Sequence, residues 1–266
     1  MDFLDAYQLT DLVWIALSLL LTSMAKGGFP VGSIATPLLI LLWPGQSQAA
    51  RAAVAFMLPM LCVMDAGAVV LYRQHIDWAR VRAMLPGTVA GVTLASALFI
   101  SDRHTLIVIT DATLRIAIGT LGLLFTLWFA TRKWIFAHLA VTAAPGPRAC
   151  FAYGATAGIT SSLAHAAGPV MQMVLLPQKL PKMRFAGTNC AYFFVLNLIK
   201  LVPFVLLGRI QPEHLRLGLV MLPVIPVGVL AGYVLVRFTR DHHYAAFIHI
   251  VLAITSVVLI INGLRG

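Results

Sequence analysis

The sequence predicts an all-α polytopic membrane protein built from two inverted-topology repeats, and three observations support this fold class. Of its 266 residues, 60% are hydrophobic and only 11% are charged, with a mean hydropathy of +0.92. Long apolar segments alternate with short loops, and those loops hold most of the Lys and Arg residues. Soluble domains do not need this much apolar surface, whereas a chain that crosses a bilayer several times does.

Eight apolar segments are separated by charged or proline-containing breaks. Most are close to the roughly 20 residues that a helix needs to cross hydrocarbon, and they lack the period-two alternation of barrel strands. Residues 1–11 contain three Asp and no basic residue, so we expect no cleavable signal peptide and a retained first segment. The segments are 12–43, 49–71, 84–100, 106–130, 150–176, 185–207, 217–236 and 244–264.

The chain after about residue 149 repeats the organisation of the chain before it. Each part begins with a glycine-containing apolar segment, of 32 or 27 residues, that is long for one crossing. If every segment crossed the membrane, the Lys and Arg residues of the loops would be split 9 to 7 between its two sides. If the two broken segments re-enter on the side from which they start, the split is 11 to 5. Because cations favour the cytoplasmic side, we predict a re-entrant segment plus three transmembrane helices in each repeat, with both termini outside. The predicted units are a first repeat at 1–130, a cytoplasmic linker at 131–149 and a second repeat at 150–266.

A local likeness supports this division. LPGTVAGVTLA at 85–95 and LPVIPVGVLAG at 222–232 share Leu-Pro, a Gly five residues after the Pro, and a small residue four positions later. Inverted repeats are typical of secondary transporters.

The first broken segment contains TSMAKGGFPVGSIATP at residues 22–37. Its glycines and prolines disfavour a continuous helix, and irregular backbone at membrane depth is tolerated only beside protein or a watery cavity. A helix that begins near Ser33 would offer unpaired N–H groups to an anion, and Lys26 adds a full positive charge. We therefore predict an anion site at Lys26, Gly27, Gly28 and Ser33. The alternative is a packing kink, with Lys26 extending toward the membrane surface.

The second broken segment contains GITSSLAHAAGPVMQ at residues 158–172. Ser161, Ser162, His165 and Gly168 provide hydroxyls, an imidazole and a helix break, and we expect the two breaks to meet near the midplane. With an ordinary pKa near 6.5, His165 is a candidate carrier of a coupling proton. A hydrogen-bonded core histidine is the alternative.

A polar stripe runs along segment 185–207. At about 100° per residue, Asn189, Asn197 and Lys200 lie within roughly 80° of one another, so they share one helix face. A buried Lys costs about 2.5–3.5 kcal/mol in a membrane, which suggests a functional role. Thr188 and Asn189 can donate to an oxyanion, or they can act as a helix cap or interhelical bond.

Asp65 occupies nearly the same place in segment 49–71. It lies eight residues before Arg73, as Lys200 lies nine before Arg209. Two interpretations stay open for it: an ion pair with Lys26 or Lys200, and a proton relay.

The remaining composition limits other functions. The three cysteines, at positions 62, 150 and 190, form no CxxC motif and fit a packed core, so we expect no metal, disulfide or cofactor. The net charge of +10 is concentrated in short loops. This indicates contact with anionic lipid heads and not with nucleic acid.

Several motifs in order and spacing resemble the TauE/SafE family of sulfite and organosulfonate exporters. They are KGGF at 26–29, MLPMLCVMD ending at Asp65, TSSLAHAAGP around His165, Gly187-Thr188, and NLIKLVP from Asn197. The resemblance covers nearly the whole chain. It implies a multi-pass transporter of the bacterial inner membrane that moves small anions such as sulfite or sulfonates outward.

The leading hypothesis is a secondary transporter that holds its anion with Lys26 and Lys200, with protons as a candidate coupling ion. A passive anion channel is the alternative, since the same cations can line a pore. An intramembrane enzyme is less favoured because HExxH, GxSxG and paired carboxylates are missing from the sequence. Substrate, coupling ion and oligomeric state stay open, with a homodimer among the options.

Overall fold

The described part of the chain is helical and contains helices suited to a membrane. The structure, a computed structural model, describes residues 7–29, 49–101, 145–165, 167–175 and 180–240, together with isolated residues elsewhere. Three described helices are long and apolar enough to cross a bilayer, Leu9–Lys26, Ala52–His75 and Lys182–Leu206. A bent pair, Pro212–Met221 with Val224–Phe238, adds a fourth if it forms one span.

The segments predicted at 49–71 and 185–207 are helices within three residues of those bounds, whereas the helix predicted at 84–100 begins six residues earlier, at Trp78. Most residues of the segments predicted at 106–130 and 244–264 lie outside the described residues, as does Ser33. The segment predicted at 217–236 is two helices, bent by 57° at Leu222 and Pro223. In chain order the helices are α1 Leu9–Lys26, α2 Ala49–Tyr72, α3 Trp78–Ser101, α4 Pro147–Ala164, α5 Gly168–Leu175, α6 Lys182–Leu206, α7 Pro212–Met221 and α8 Val224–Phe238, with a 3₁₀ turn at Arg73–His75.

Both broken segments are interrupted where the sequence predicts. The helix α1 ends at Lys26, and the turn after it contains Gly28 with φ of 103°. A Cβ on Gly28 would lie 2.7 Å from the Tyr72 hydroxyl, so both the dihedral and the space require glycine. The helix α4 ends at Ala164, and His165 after it has a left-handed φ of 51°. The short helix α5 then begins at Gly168.

Small residues allow two helix pairs to pack with their backbones in contact. Gly87 and Gly91 of α3 lie against α4, and a Cβ on Gly91 would be 2.9 Å from the Ala155 Cα. Gly228 and Gly232 of α8 lie against α1 in the same way, where a Cβ on Gly232 would be 2.9 Å from the Met24 Cα. Spacing of four residues between small side chains is the usual motif for close packing of membrane helices. The pairing is reciprocal, because a later helix of each part of the chain packs on the first helix of the other.

The helices α2 and α6 pack against each other in opposite directions at the centre. Gly187 lies beside Tyr72, whereas Asn197 lies beside Asp65. Asn197 is about 15 Å along the helix from Gly187 and about 14 Å from the end of α6 at Leu206. The contact between Asp65 and Asn197 therefore lies far from the ends of the packed helices α2 and α6.

Candidate functional site

A buried ion pair joins the end of α1 to the middle of α2. Lys26 Nζ lies 2.8 Å from Asp65 Oδ1, and the side chain of Asp65 has no exposed surface. Asn197 Nδ2 donates to the other carboxylate oxygen at 2.6 Å. Lys26 also lies over the Phe193 ring, 4.4 Å from its centroid, which is a favourable cation–π distance. Of the two interpretations of Asp65 that the sequence leaves open, the ion pair with Lys26 is present in the structure.

Lys200 is fully buried one turn after Asn197 on α6. Its Nζ donates to the Ser161 carbonyl at 2.8 Å, to the Ser161 Oγ at 3.0 Å and to His165 Nδ1 at 2.7 Å. Three acceptors match the three N–H donors of an ammonium group. The carbonyl belongs to the last turn of α4, where a positive charge is stabilised by the helix dipole. Among the described residues, Lys200 has no carboxylate partner.

The contacts of His165 select one neutral tautomer. Its Nε2 lies 2.9 Å from the Val54 carbonyl, which can only accept, so Nε2 carries the proton. Its Nδ1 is then an acceptor, and Lys200 donates a hydrogen bond to it. His165 therefore positions Lys200, as the alternative of a hydrogen-bonded core histidine implies.

The two breaks lie near opposite ends of α2, which differs from the expected meeting at the midplane. Tyr72 donates its hydroxyl proton to the Gly27 carbonyl at 2.7 Å, whereas His165 contacts Val54. Tyr72 and Val54 are 18 residues apart in one helix, or about 27 Å. Lys26 extends from the first break to Asp65, which Asn197 of α6 also contacts, and Lys200, one turn after Asn197, contacts the second break at Ser161 and His165. Helical periodicity gives the face of a residue but not the level of its partner on another helix.

Several buried polar atoms of this region have no hydrogen-bond partner within the described chain. They include the hydroxyl of Ser162, which is fully buried beside Ser161, and the Oδ1 of Asn197. The Oδ1 of Asn189, two turns before Asn197 on the polar stripe, is another. Buried polar groups are nearly always satisfied; of these atoms the Ser162 hydroxyl can donate to an anion, whereas the amide oxygens of Asn189 and Asn197 only accept. We call Lys26, Asp65, Asn197, Lys200, Ser161, Ser162 and His165 the buried polar network.

Thr188 is not part of the buried polar network. Its hydroxyl accepts the backbone N–H of Asp77 at 3.0 Å, at the opposite end of the central pair from His165. Asp77 also forms ion pairs with Arg80 and with Arg184. Thr188 thus has the interhelical contact that the sequence leaves as its alternative.

Gly168 begins α5, and a Cβ there would meet open space.

Three residues of the site were missed by the sequence reasoning. Phe193 lies under Lys26 and Tyr72 holds the first break, while Cys190 donates its thiol to the Lys26 carbonyl at 2.9 Å. Phe193 had a detectable signal, because it falls on the helix face between Lys200 and Asn197, at about 40° from Asn189. Tyr72 and Cys190 act on backbone carbonyls, and those contacts leave no pattern in the sequence.

The arrangement suits anion binding better than metal binding. No group of three or more His, Cys, Asp or Glu residues is placed to hold a metal in the region that the structure describes. With Lys26 and Lys200 charged and His165 neutral, one carboxylate faces two cations. Lys26 contacts one carboxylate oxygen and a ring face among the described residues, and its side chain is 14% exposed. An ammonium group has three donors, and in the described region the carboxylate of Asp65 takes one of them.

Comparison with known proteins identifies one family. The family model described as Sulfite exporter TauE/SafE matches residues 14–259, which is most of the chain. None of the curated proteins and none of the solved structures matches the chain significantly.

Proposed function

The chain belongs to the sulfite exporter TauE/SafE family, and from this premise we propose a secondary transporter that exports small anions across the bacterial inner membrane. Membership implies, at the level of the family, a membrane transporter of sulfite or a related anion. We assign the substrate as sulfite or an organosulfonate and the mechanism as alternating access between two inverted repeats. The reciprocal packing of α3 on α4 and of α8 on α1 supports two related halves.

The excess positive charge of the buried polar network carries the proposal. A buried lysine in a membrane is costly, by about 2.5–3.5 kcal/mol even on the most permissive scale. Asp65 compensates Lys26, whereas Lys200 has only neutral acceptors around it among the described residues. A bound anion would supply the missing charge, and the unpartnered hydroxyl of Ser162 would donate to one of its oxygens.

Burial favours a transporter over a channel. Asp65, Asn197 and Lys200 are each at most 1% exposed, so the described helices enclose these three side chains. An anion therefore reaches them only after the surrounding helices rearrange, which is the step that defines alternating access. In a conducting pore the cationic side chains would be in contact with water.

Counterflow in proteoliposomes tests this function. Vesicles containing the purified protein are loaded with unlabelled sulfite and diluted into labelled sulfite at weakly alkaline pH, where little volatile SO₂ forms. A transporter should accumulate label transiently above the external concentration, whereas a channel only equilibrates it. Lys200→Met should abolish the overshoot. Lys182→Met is the matched control, because Lys182 bonds the Arg237 and Thr239 carbonyls at the end of α8, away from the network. Equilibration without overshoot would support the channel, and flux that is unaffected in Lys200→Met would remove Lys200 from the site.

A further inference from the structure

We propose that Asp65 is a resident counter-ion, which the transported oxyanion displaces from Lys26, and that Asp65 takes up one proton when that oxyanion is a dianion. This inference rests on the proposed anion site and specifies its charge balance. It predicts that monoanions and dianions bind with different proton stoichiometry.

The geometry makes Asp65 a competitor for the incoming anion. Its Oδ1 pairs with the ammonium group of Lys26, and its Oδ2 accepts a hydrogen bond from the amide of Asn197. These are two donors that an oxyanion at this position would need. The contacts with Lys26 and with Asn197 can break together, because the same carboxylate makes both. Lys200 is less easily recruited, since its three donors already have acceptors.

The charges of the network decide which anions need a proton. With both lysines protonated and Asp65 ionised, two positive charges and one negative charge leave the empty network with a net single positive charge. A sulfonate monoanion neutralises it without further change. A dianion such as sulfate or fully ionised sulfite leaves one negative charge in excess, and buried excess charge is strongly unfavourable. Transfer of one proton from water to the displaced carboxylate restores neutrality.

Asp65 is the group of this network that is best placed to accept the proton. His165 has both ring nitrogens engaged, with the Val54 carbonyl and with Lys200. The other titratable groups within electrostatic reach are Lys26 from α1, Cys62 on α2, and Cys190 and Lys200 from α6. Neither lysine can gain a proton when charged, and a thiol does not.

Other elements packed on α2 add no buried charge among the described residues. Glu213 and Arg216 of α7 and Arg237 of α8 are exposed, as is Arg73 of the 3₁₀ turn. His214 of α7 is half-buried, and so is Asp11 of α1, which lies 15 residues, or about 22 Å of helix, before Lys26. His75 in that turn is half-buried, about ten residues, or roughly 15 Å of helix, beyond Asp65.

Titration calorimetry of the full-length protein in detergent tests the inference. Sulfate and methanesulfonate are the probes, because each keeps its charge across the neutral pH range. Each titration is repeated in buffers with different heats of ionisation, which reveals the number of protons taken up. Sulfate should bind with uptake of about one proton and should tighten about tenfold for each unit of falling pH. Methanesulfonate should bind with no proton uptake.

Asp65→Asn separates the inference from the proposed function. The variant keeps a hydrogen-bonding side chain but has no carboxylate, so it should bind sulfate without proton uptake and with affinity independent of pH. Asp77→Asn is the control, because Asp77 pairs with Arg80 and Arg184 outside the network. If Asp65→Asn does not fold, the difference between sulfate and methanesulfonate in the wild type still decides.

The outcomes are distinct. Failure of every tested anion, including sulfite, to bind the wild type would count against the proposed function. Binding with equal proton uptake for sulfate and methanesulfonate, or unchanged uptake in Asp65→Asn, would overturn the role of Asp65 and leave the anion site standing.

Discussion

Lys26 and Asp65 are 39 residues apart in the sequence, and their charged atoms lie 2.8 Å from each other inside the helix bundle. Lys26 is the last residue of α1, at a break in the backbone, whereas Asp65 lies within the continuous helix α2. The ion pair thus connects the first break to the centre of the fold.

Replacing Lys26 tests this connection. Lys26→Met should lower the free energy of unfolding in detergent by about 3 kcal/mol or more, because it leaves the buried carboxylate of Asp65 without its cation. It should also abolish measurable anion binding. The double variant Lys26→Met/Asp65→Asn should recover most of the stability but not the binding. Recovery of both would show that Lys26 serves the fold alone.

Lys200 is expected to act on the ligand through its positive charge, because its three donors have acceptors in the protein. Lys200→Met should weaken sulfate binding by about 10- to 100-fold, since the variant lacks that charge. Calorimetry measures it, with Lys182→Met beside it. Wild-type affinity in a folded Lys200→Met protein would contradict the prediction.

His165 positions Lys200 in our interpretation and does not carry the coupling proton. His165→Asn suits the left-handed backbone at this position and keeps an acceptor near Lys200. We expect a weakening of sulfate binding by a few-fold, with proton uptake still close to one. If uptake disappears in this variant while Asp65→Asn retains it, the proton belongs to the histidine.

Glycine packing gives a prediction with an internal control. Gly91→Ala should destabilise the protein by roughly 1–3 kcal/mol, because its Cβ would push against the backbone of α4. Gly67→Ala should be neutral or stabilising by up to about 1 kcal/mol, since its nearest neighbour would be a Val229 methyl at 3.9 Å. Thermal unfolding of the two variants compares them. Equal melting temperatures would argue against the close approach of α3 and α4.

Thr188 is expected to matter for stability and not for the ligand. Thr188→Val removes the acceptor of the buried Asp77 N–H and should cost about 1–3 kcal/mol. Thr188→Ser should restore most of this. Sulfate affinity should stay within about twofold of the wild type in both, and a tenfold loss in the valine variant alone would return Thr188 to the anion site.

The sequence predicts the helices and breaks of this protein well. Long apolar runs locate α2 and α6 to within a few residues, because hydrocarbon thickness fixes the length of a crossing. The breaks after Lys26 and at His165 lie beside Gly27-Gly28 and Gly168-Pro169, and such residues favour the ends and beginnings of helices. The shared face of Asn197 and Lys200 follows from helical periodicity alone.

The partners of these residues are harder to predict. Asp65 had two candidate cations, and the choice of Lys26 depends on how far α1 extends beside α2. Thr188 and Lys200 lie on the same helix, yet 12 residues separate them, or about 18 Å, and only the packed structure shows that they serve different contacts. The face on which a residue lies does not tell how one helix is shifted along its axis relative to its neighbour.

The glycine crossings also bear on how the molecule moves. Backbones in direct contact leave little room for slippage, so α1 with α8 and α3 with α4 are expected to travel as two stiff units. Between α2 and α6 the described residues include the side-chain hydrogen bond from Asn197 to Asp65, and we expect the two stiff units to shear along this interface. A cross-link across that interface should therefore arrest the transport cycle, whereas one within either stiff unit should not.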